Sequence, residues 1–142
     1  MPKKSYPRVG VAAIIERNGQ VLLVKRKNAH GAGSWAVPGG HLEFGETPME
    51  CAIRETREEV GVEITKVRFV SITNDIFAEE GRHYITIWMR GSLASGEPRI
   101  AAAREVAEVG WFSWKTLPSP LFIPLKNLVG GQGYPEDKIV KI

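Results

Sequence analysis

The sequence predicts a layered domain, α/β or α+β, in which strands pack around a central helix. Three observations carry that reading. Apolar, β-branched runs recur in both halves of the chain. One amphipathic helix with strong start and stop signals lies between them. The length, 142 residues, suits a single domain over 1–142 with a real hydrophobic core.

The elements follow in order. Val9–Ile15 and Val21–Val24 flank Asn18-Gly19, a turn signal that predicts a β-hairpin. Lys27–Gly33 reads as a loop. Trp35-Ala36-Val37 reads as a short strand, stopped by Pro38-Gly39-Gly40. Thr47–Val60 reads as a helix: Thr47 suits the N-cap, Pro48 the first turn, Glu50 a capping box and Gly61 the stop. Met49, Ala52, Ile53, Thr56 and Val60 would form its inner face. Val67–Ile72 and His83–Met89 read as strands. Gly91–Gly110 reads as a long loop, Trp111-Phe112 as a strand, Trp114–Leu117 as a turn of helix, and Leu121–Leu128 as a last helix. The tail from Gly130 reads as loosely held.

Composition narrows the function. Hydrophobic content of 43% and charged content of 25% are those of an ordinary globular protein. No apolar run approaches the roughly 20 residues of a membrane span. The start, MPKKSYPRVGVAAIIE, lacks a small-residue cleavage site and reads as a strand, not a signal peptide. A lone cysteine, Cys51, excludes an internal disulfide framework and a CxxC metal site, and a reducing, cytoplasmic setting is expected. The net charge of +3 is compatible with an anionic ligand. It is too small and dispersed to predict binding of a nucleic-acid polymer. Lys25, Arg26 and Lys27, at the end of a strand, are candidates to hold phosphates.

Against this basic background, Glu43, Glu46, Glu50, Glu55, Glu58, Glu59 and Glu63 crowd into one short stretch. Glu55, Glu58 and Glu59 are neighbours at helical spacing and repel one another. They also lie toward the C-terminal end of the helix, where its dipole disfavours negative charge. Stability alone would not select this. A divalent cation removes both penalties, and Mg²⁺ takes carboxylates, waters and substrate phosphate as ligands. Arg54 can pair with a carboxylate of the preceding loop, Glu46 first. Gly39-Gly40 lets the backbone come close, so that a carbonyl there could add a ligand.

The spacing Gly40, Glu46, Arg54-Glu55, Glu58-Glu59, Gly61-Val62 resembles the Nudix hydrolase signature at every fixed position. Thr56 departs from it, standing where an aliphatic residue is usual. Its hydroxyl is expected to bond back to the preceding turn. The resemblance implies a Nudix fold, a mixed β-sheet sandwiched between helices. It implies Mg²⁺-dependent hydrolysis, with Mn²⁺ as a substitute. Glu55, Glu58, Glu59 and the Gly39 carbonyl would be metal ligands, and Arg54 and Glu46 an orienting pair. Glu55, or Glu105 or Glu108 from the long loop, would be the general base.

GAGSWAVPGGHLEFGET, HYITIWMRG and LFIPL resemble the vertebrate MutT-homologue branch, nucleoside triphosphate diphosphatases that act as homodimers. Thr86, Phe122 and Leu125 would then line a base pocket. Ala36-Val37 and Pro124 differ from that branch where the base should sit, so no base preference follows. His41, beside the metals, is a candidate substrate contact. His30 and His83 read as loop and sheet residues, and the four tryptophans mostly as core. The expected activity is cleavage of a nucleoside triphosphate to monophosphate and pyrophosphate, as in sanitising a nucleotide pool. Hydrolysis of a nucleoside diphosphate-sugar or dinucleotide, or nucleotide sensing without turnover, are the alternatives.

Overall fold

A computed structural model describes residues 5–28 and 30–135. In chain order the elements are β1 (Arg8–Arg17), β2 (Gln20–Arg26), β3 (Trp35–Ala36), β4 (Gly39–His41), α1 (Pro48–Val60), β5 (Glu63–Phe77), β6 (Arg82–Ser95), β7 (Val106–Ser113) and α2 (Ile123–Val129). A single 3-10 turn, Ala78–Glu80, joins β5 to β6.

The first hairpin forms as its turn residues demand. Asn18 and Gly19 both take positive φ, 52° and 76°, the backbone whose twist matches two right-twisted strands. The sheet runs β3-β2-β1-β6-β5, with β4 added beside β1 and β7 beside β2. β1 lies parallel to β6 from Arg8↔Tyr84 to Ile15↔Gly91. Along its other edge it pairs first with β4, over Gly10–Ala12, and then with β2, at Glu16 and Arg17. β1 is therefore a branch point, and the two groups of strands diverge from it.

Both faces of this sheet are buried, which explains why β1 and β2 read as continuous apolar runs. Val11, Ala13, Ile15, Leu22 and Val24 pack on one side with Cys51, Ala52 and Val60 of α1. Ala12, Ile14, Val21, Leu23 and Trp88 pack on the other with Leu125 and Leu128 of α2. Each fully buried aliphatic side chain stabilises the fold by about 1.5–3 kcal/mol. Truncating Ile14 or Leu125 to alanine would therefore loosen the α2 layer first. No helix among the described residues is long and apolar enough to cross a membrane.

Several expectations need correction. Gly91–Gly110 is not one long loop. β6 continues to Ser95 and β7 begins at Val106, leaving a connection over 96–105. Gly91 sits inside β6 because a Cβ there would press on Ile64 and Val67 at 3.2 Å. It marks close packing, not a loop. Gly39 and Gly40, read as a strand stop, are themselves in β4. Trp114–Leu117 is a turn without helix. The last helix starts at Ile123 because Leu121 bridges to Trp35. On α1, Met49 is half-exposed and Cys51 is buried in its stead. The tail is anchored as far as Tyr134, which exchanges two backbone hydrogen bonds with Ile72. The rest of the tail, 136–142, lies outside the described residues, as do Lys3 and Lys4.

Candidate active site

The site is built on α1, and both helix ends are fixed by local chemistry. Thr47 Oγ1 accepts from the Glu50 N–H at 3.1 Å, and Glu50 Oε1 accepts from the Thr47 N–H at 2.9 Å. Two donors that the helix leaves unpaired are thereby satisfied. At the other end Gly61, at φ 69°, donates back to Arg57 O, a left-handed stop natural to glycine.

In the middle of α1, Arg54 ties the helix to the preceding loop. Its Nε and Nη2 donate to the two Glu46 oxygens at 2.7 and 3.0 Å, a bidentate geometry that lysine could not match. Nη2 also donates to His41 O at 3.2 Å, and Nη1 to Glu55 at 2.7 Å and Glu58 at 2.9 Å. The hydrogen bonds from Arg54 hold the Glu46 carboxyl down to about 2. The same contact raises Arg54.

One turn further on, the electrostatics reverse. Glu59 is 8% exposed. Burial, followed by the charge of Glu55, pushes its carboxyl well above the usual range. The Gly39 N–H, donating to it at 3.2 Å, and the charge of Arg26 oppose that shift only in part. Burial also raises Glu55, against the opposing pull of Arg54. Gly40 leaves room for Glu55 where it stands: a Cβ there would lie 2.4 Å from its carboxyl carbon, and the side chain would have to turn away. A Cβ on Gly39 would meet Val11 O at 2.3 Å. The glycine pair thus gives room to a carboxylate and to β1.

The three glutamates expected to share a cation do not converge. Among the described residues, no group of three acidic, histidine or cysteine side chains is arranged to hold a metal. Glu58, half-exposed, is turned to Arg54. The other two fit a hard divalent ion well: adjacent and oxygen-bearing, Glu59 buried and Glu55 half-buried with Arg54 on one of its oxygens, they are a donor set such an ion neutralises.

Glu55 and Glu59 open on a cavity of about 350 Å³, set where β1 parts from β2 on one side and β4 on the other. Its acidic lining is completed by Glu105, from the connection before β7. Arg26 and Arg82 bring positive charge. Arg26 stacks over Phe122 at 3.9 Å and donates Nε to His30 O at 2.8 Å, so its guanidinium is positioned from two sides. Burial lowers it, and Glu59, Tyr84 and Glu105 partly restore it. The remainder is apolar and aromatic, with Thr86, Trp88, Pro124 and Leu125 beside Phe77, Tyr84 and Phe122. His41 stacks on Tyr84, 5.6 Å between centroids, with its Nε2 3.1 Å from the tyrosine hydroxyl.

Of the residues singled out in the sequence, Gly39, His41, Glu55, Glu59, Thr86, Phe122 and Leu125 all line this cavity. Glu46, Arg54 and Glu58 stand behind it. Lys25 and Glu108 face each other across β2 and β7 and pair at 3.3 Å; neither they nor Lys27 reach the lining. Of the two loop glutamates, Glu105 lines the cavity and Glu108 does not. His30, read as a loop residue, lines it too. Tyr84 and Trp88 were legible by alternation, since they share the β6 face of Thr86. Phe77 and Arg82 carried no signal. The Thr56 hydroxyl, expected to bond to the preceding turn, is fully buried without a partner among the described residues.

Comparison with known proteins agrees with this geometry. The NUDIX domain family matches residues 5–129. An ADP-ribose pyrophosphatase of Methanocaldococcus jannaschii is 35% identical over 118 residues, 82% of this chain and 68% of that protein. The NAD-capped RNA hydrolase NudC of Pseudomonas aeruginosa is 30% identical over 114 residues, 80% of this chain but only 39% of its own length. The crystal structure of a MutT NUDIX hydrolase from Burkholderia pseudomallei superposes with a TM-score of 0.84 at 33% identity, covering 89% of this chain and 98% of that one. The chain belongs to the Nudix family and is an enzyme of the Nudix hydrolase type.

Proposed function

Proceeding from membership in the Nudix family, we propose that this protein hydrolyses the diphosphate linkage of a nucleotide, and that a nucleoside triphosphate, cleaved to monophosphate and pyrophosphate, is its preferred substrate. The observation that carries this reading is the pair of half-buried Glu55 and buried Glu59 on the wall of a cavity that also holds Arg26 and an aromatic, apolar lining. Such a lining suits a nucleobase at one part of the ligand and an anion at another.

Nudix hydrolases in general use divalent ions, and Mg²⁺, with Mn²⁺ as substitute, suits all-oxygen donors. Glu55 and Glu59 would hold the ion, with the Gly39 carbonyl, and with Glu58 once released from Arg54. When bound, the ion supplies neutralisation of the diphosphate charge and activation of the attacking water. The rest falls to the chain. Arg26 holds phosphate oxygens. Thr86, Phe122 and Leu125 seat the base, and His41 with Tyr84 closes the side of the cavity. Glu55 or Glu105 would take the proton from the attacking water. Arg54 and Glu46 keep α1 and its loop in register, so that Glu55 stays aimed. The protein is expected to work as a homodimer in a reducing, cytoplasmic setting.

Product analysis tests the reading. Canonical and modified triphosphates and ADP-ribose are incubated with and without Mg²⁺, and pyrophosphate and sugar phosphate are measured. Metal-dependent pyrophosphate release supports the triphosphate reading. Turnover of ADP-ribose alone favours the second reading, a diphosphate-sugar hydrolase, to which the archaeal relative points. No turnover of any substrate would leave a nucleotide-sensing domain.

A further inference from the structure

Beneath the cavity lies a buried polar chain of which the proposed function uses only Thr86, as part of the base pocket. Asp75 of β5 is fully buried, and no arginine or lysine is ion-paired with it among the described residues. Its Oδ2 accepts from Thr86 Oγ1 at 2.6 Å and Thr73 Oγ1 at 3.1 Å, and its Oδ1 accepts from Asn127 Nδ2 at 2.9 Å. Thr73 Oγ1 in turn accepts from the Trp88 indole N–H at 2.9 Å.

With Asp75 as a carboxylate, each bond of the chain has one direction. An indole N–H only donates, so Thr73 accepts from it and sends its own proton to Asp75. A carboxylate only accepts, so the Thr86 proton is also committed to Asp75. Thr86 is 6% exposed and lines the cavity. With its proton turned inward, only oxygen lone pairs remain for a ligand. The space before them is open because Gly10 is the partner of Thr86 across β1 and β6. A Cβ on Gly10 would stand 3.9 Å from that oxygen. Trp88, Pro124 and Leu125 give the same cavity an apolar lining. A ligand that brings an acceptor there sets lone pair against lone pair, with little water to intervene.

We propose that Asp75 is a positioning residue that makes Thr86 an obligate hydrogen-bond acceptor, so that the site selects a base presenting an N–H group, an exocyclic amine or a ring N–H, at that point. Asn127 extends the same control to α2, whose Pro124 and Leu125 line the cavity with the preceding Phe122. The proposal rests on reading the cavity as a nucleotide site.

The test uses nucleotide pairs that differ by one N–H. Each triphosphate is compared with its analogue lacking the exocyclic amine, or methylated at the ring N–H. kcat/KM is measured for the pairs, and Kd for the corresponding monophosphates. In the unmodified protein one pair should differ by about 10–100-fold. Thr86→Ser should keep that gap and Thr86→Val should remove it. Asp75→Asn, whose amide can donate to Thr86 and turn the hydroxyl proton into the cavity, should narrow or reverse it. Equal rates within every pair, or a gap that survives in Thr86→Val, overturn this inference while leaving nucleotide hydrolysis standing. Failure to cleave or bind any nucleotide overturns both. Thr86→Val is nearly isosteric, so the inference stays falsifiable even if Asp75→Asn does not fold.

Discussion

Two groups of carboxylates on and before one helix live under opposite electrostatics. Glu46 meets the guanidinium of Arg54 in a bidentate pair and is held down to about 2. Glu59, five residues beyond Arg54, is buried beside Glu55 and pushed well above its usual range. The first group is satisfied by the protein itself and braces loop to helix. The second is left short of positive charge and faces the cavity. The fold thus places one arginine within reach of four glutamates and still leaves Glu55 and Glu59 only partly compensated, the condition a bound cation would relieve.

The largest effect should come from breaking the second group. Glu59→Gln should lower turnover at saturating Mg²⁺ by two orders of magnitude or more, about 2.7 kcal/mol of barrier, with the circular dichroism spectrum unchanged. The same substitution should raise the melting temperature of the metal-free protein, because it removes a buried charge that lacks a full partner. Near-normal turnover would end its assignment as a ligand.

Acidity sharpens the contrast, because the two groups have opposite signs. The folded protein holds the Glu59 proton more tightly than the unfolded chain does. Its contribution to stability is therefore present below the ordinary carboxylate value of about 4.5 and is lost as pH rises toward the higher folded value. Melting of the metal-free protein should therefore show a slope that falls as pH rises above about 4.5, which Glu59→Gln flattens and excess Mg²⁺ also flattens. Glu46 works the other way. Its contribution is complete above the unfolded value and fades only as pH falls toward about 2, so it should add nothing to that slope.

Breaking the first group should cost less. Arg54→Met frees Glu46 from the helix and Glu55 from its orienting partner. Turnover should fall about 10-fold, as when supporting residues around a metal ligand are lost, and thermal stability should fall with it. A loss as large as that of Glu59→Gln would show that Arg54 touches the substrate. The smallest effect lies on the buried side of the same helix. Thr56→Val removes a buried hydroxyl that has no partner among the described residues and should stabilise the protein by about 1 kcal/mol, with kcat unchanged. Denaturant unfolding and steady-state kinetics check both halves.

These comparisons also show which parts of the molecule could be read from one strand of text. The β1–β2 hairpin and α1 were legible because their signals are local: Asn18-Gly19 in one, Thr47, Glu50 and Gly61 in the other. The acidic set was legible because helical spacing alone makes Glu55, Glu58 and Glu59 neighbours. The ends of β6 and β7 were not. Gly91 looks like a breaker, yet it lies where Ile64 and Val67 would crowd a side chain at 3.2 Å. Only pairing with β5 and β2 shows that the strands run on. The inner face of α1 was misread at Met49 because helical periodicity leaves the rotation of the face uncertain by one position. The sheet settles it in favour of Cys51.

The sequence by itself determined the chemistry of this protein: which carboxylates cluster, which arginine answers them, and the layered class of fold. Those follow from short-range spacing and backbone propensity. The tertiary structure alone decided how that chemistry is divided. It turned Glu58 to Arg54, buried Glu59 behind Gly39, brought Arg26 and Glu105 to the cavity while pairing Lys25 with Glu108, and locked Thr86 onto Asp75. Each of these depends on strands distant in sequence lying side by side around the branch at β1. Burial and hydrogen-bond direction are properties of that assembly, and no residue carries them alone.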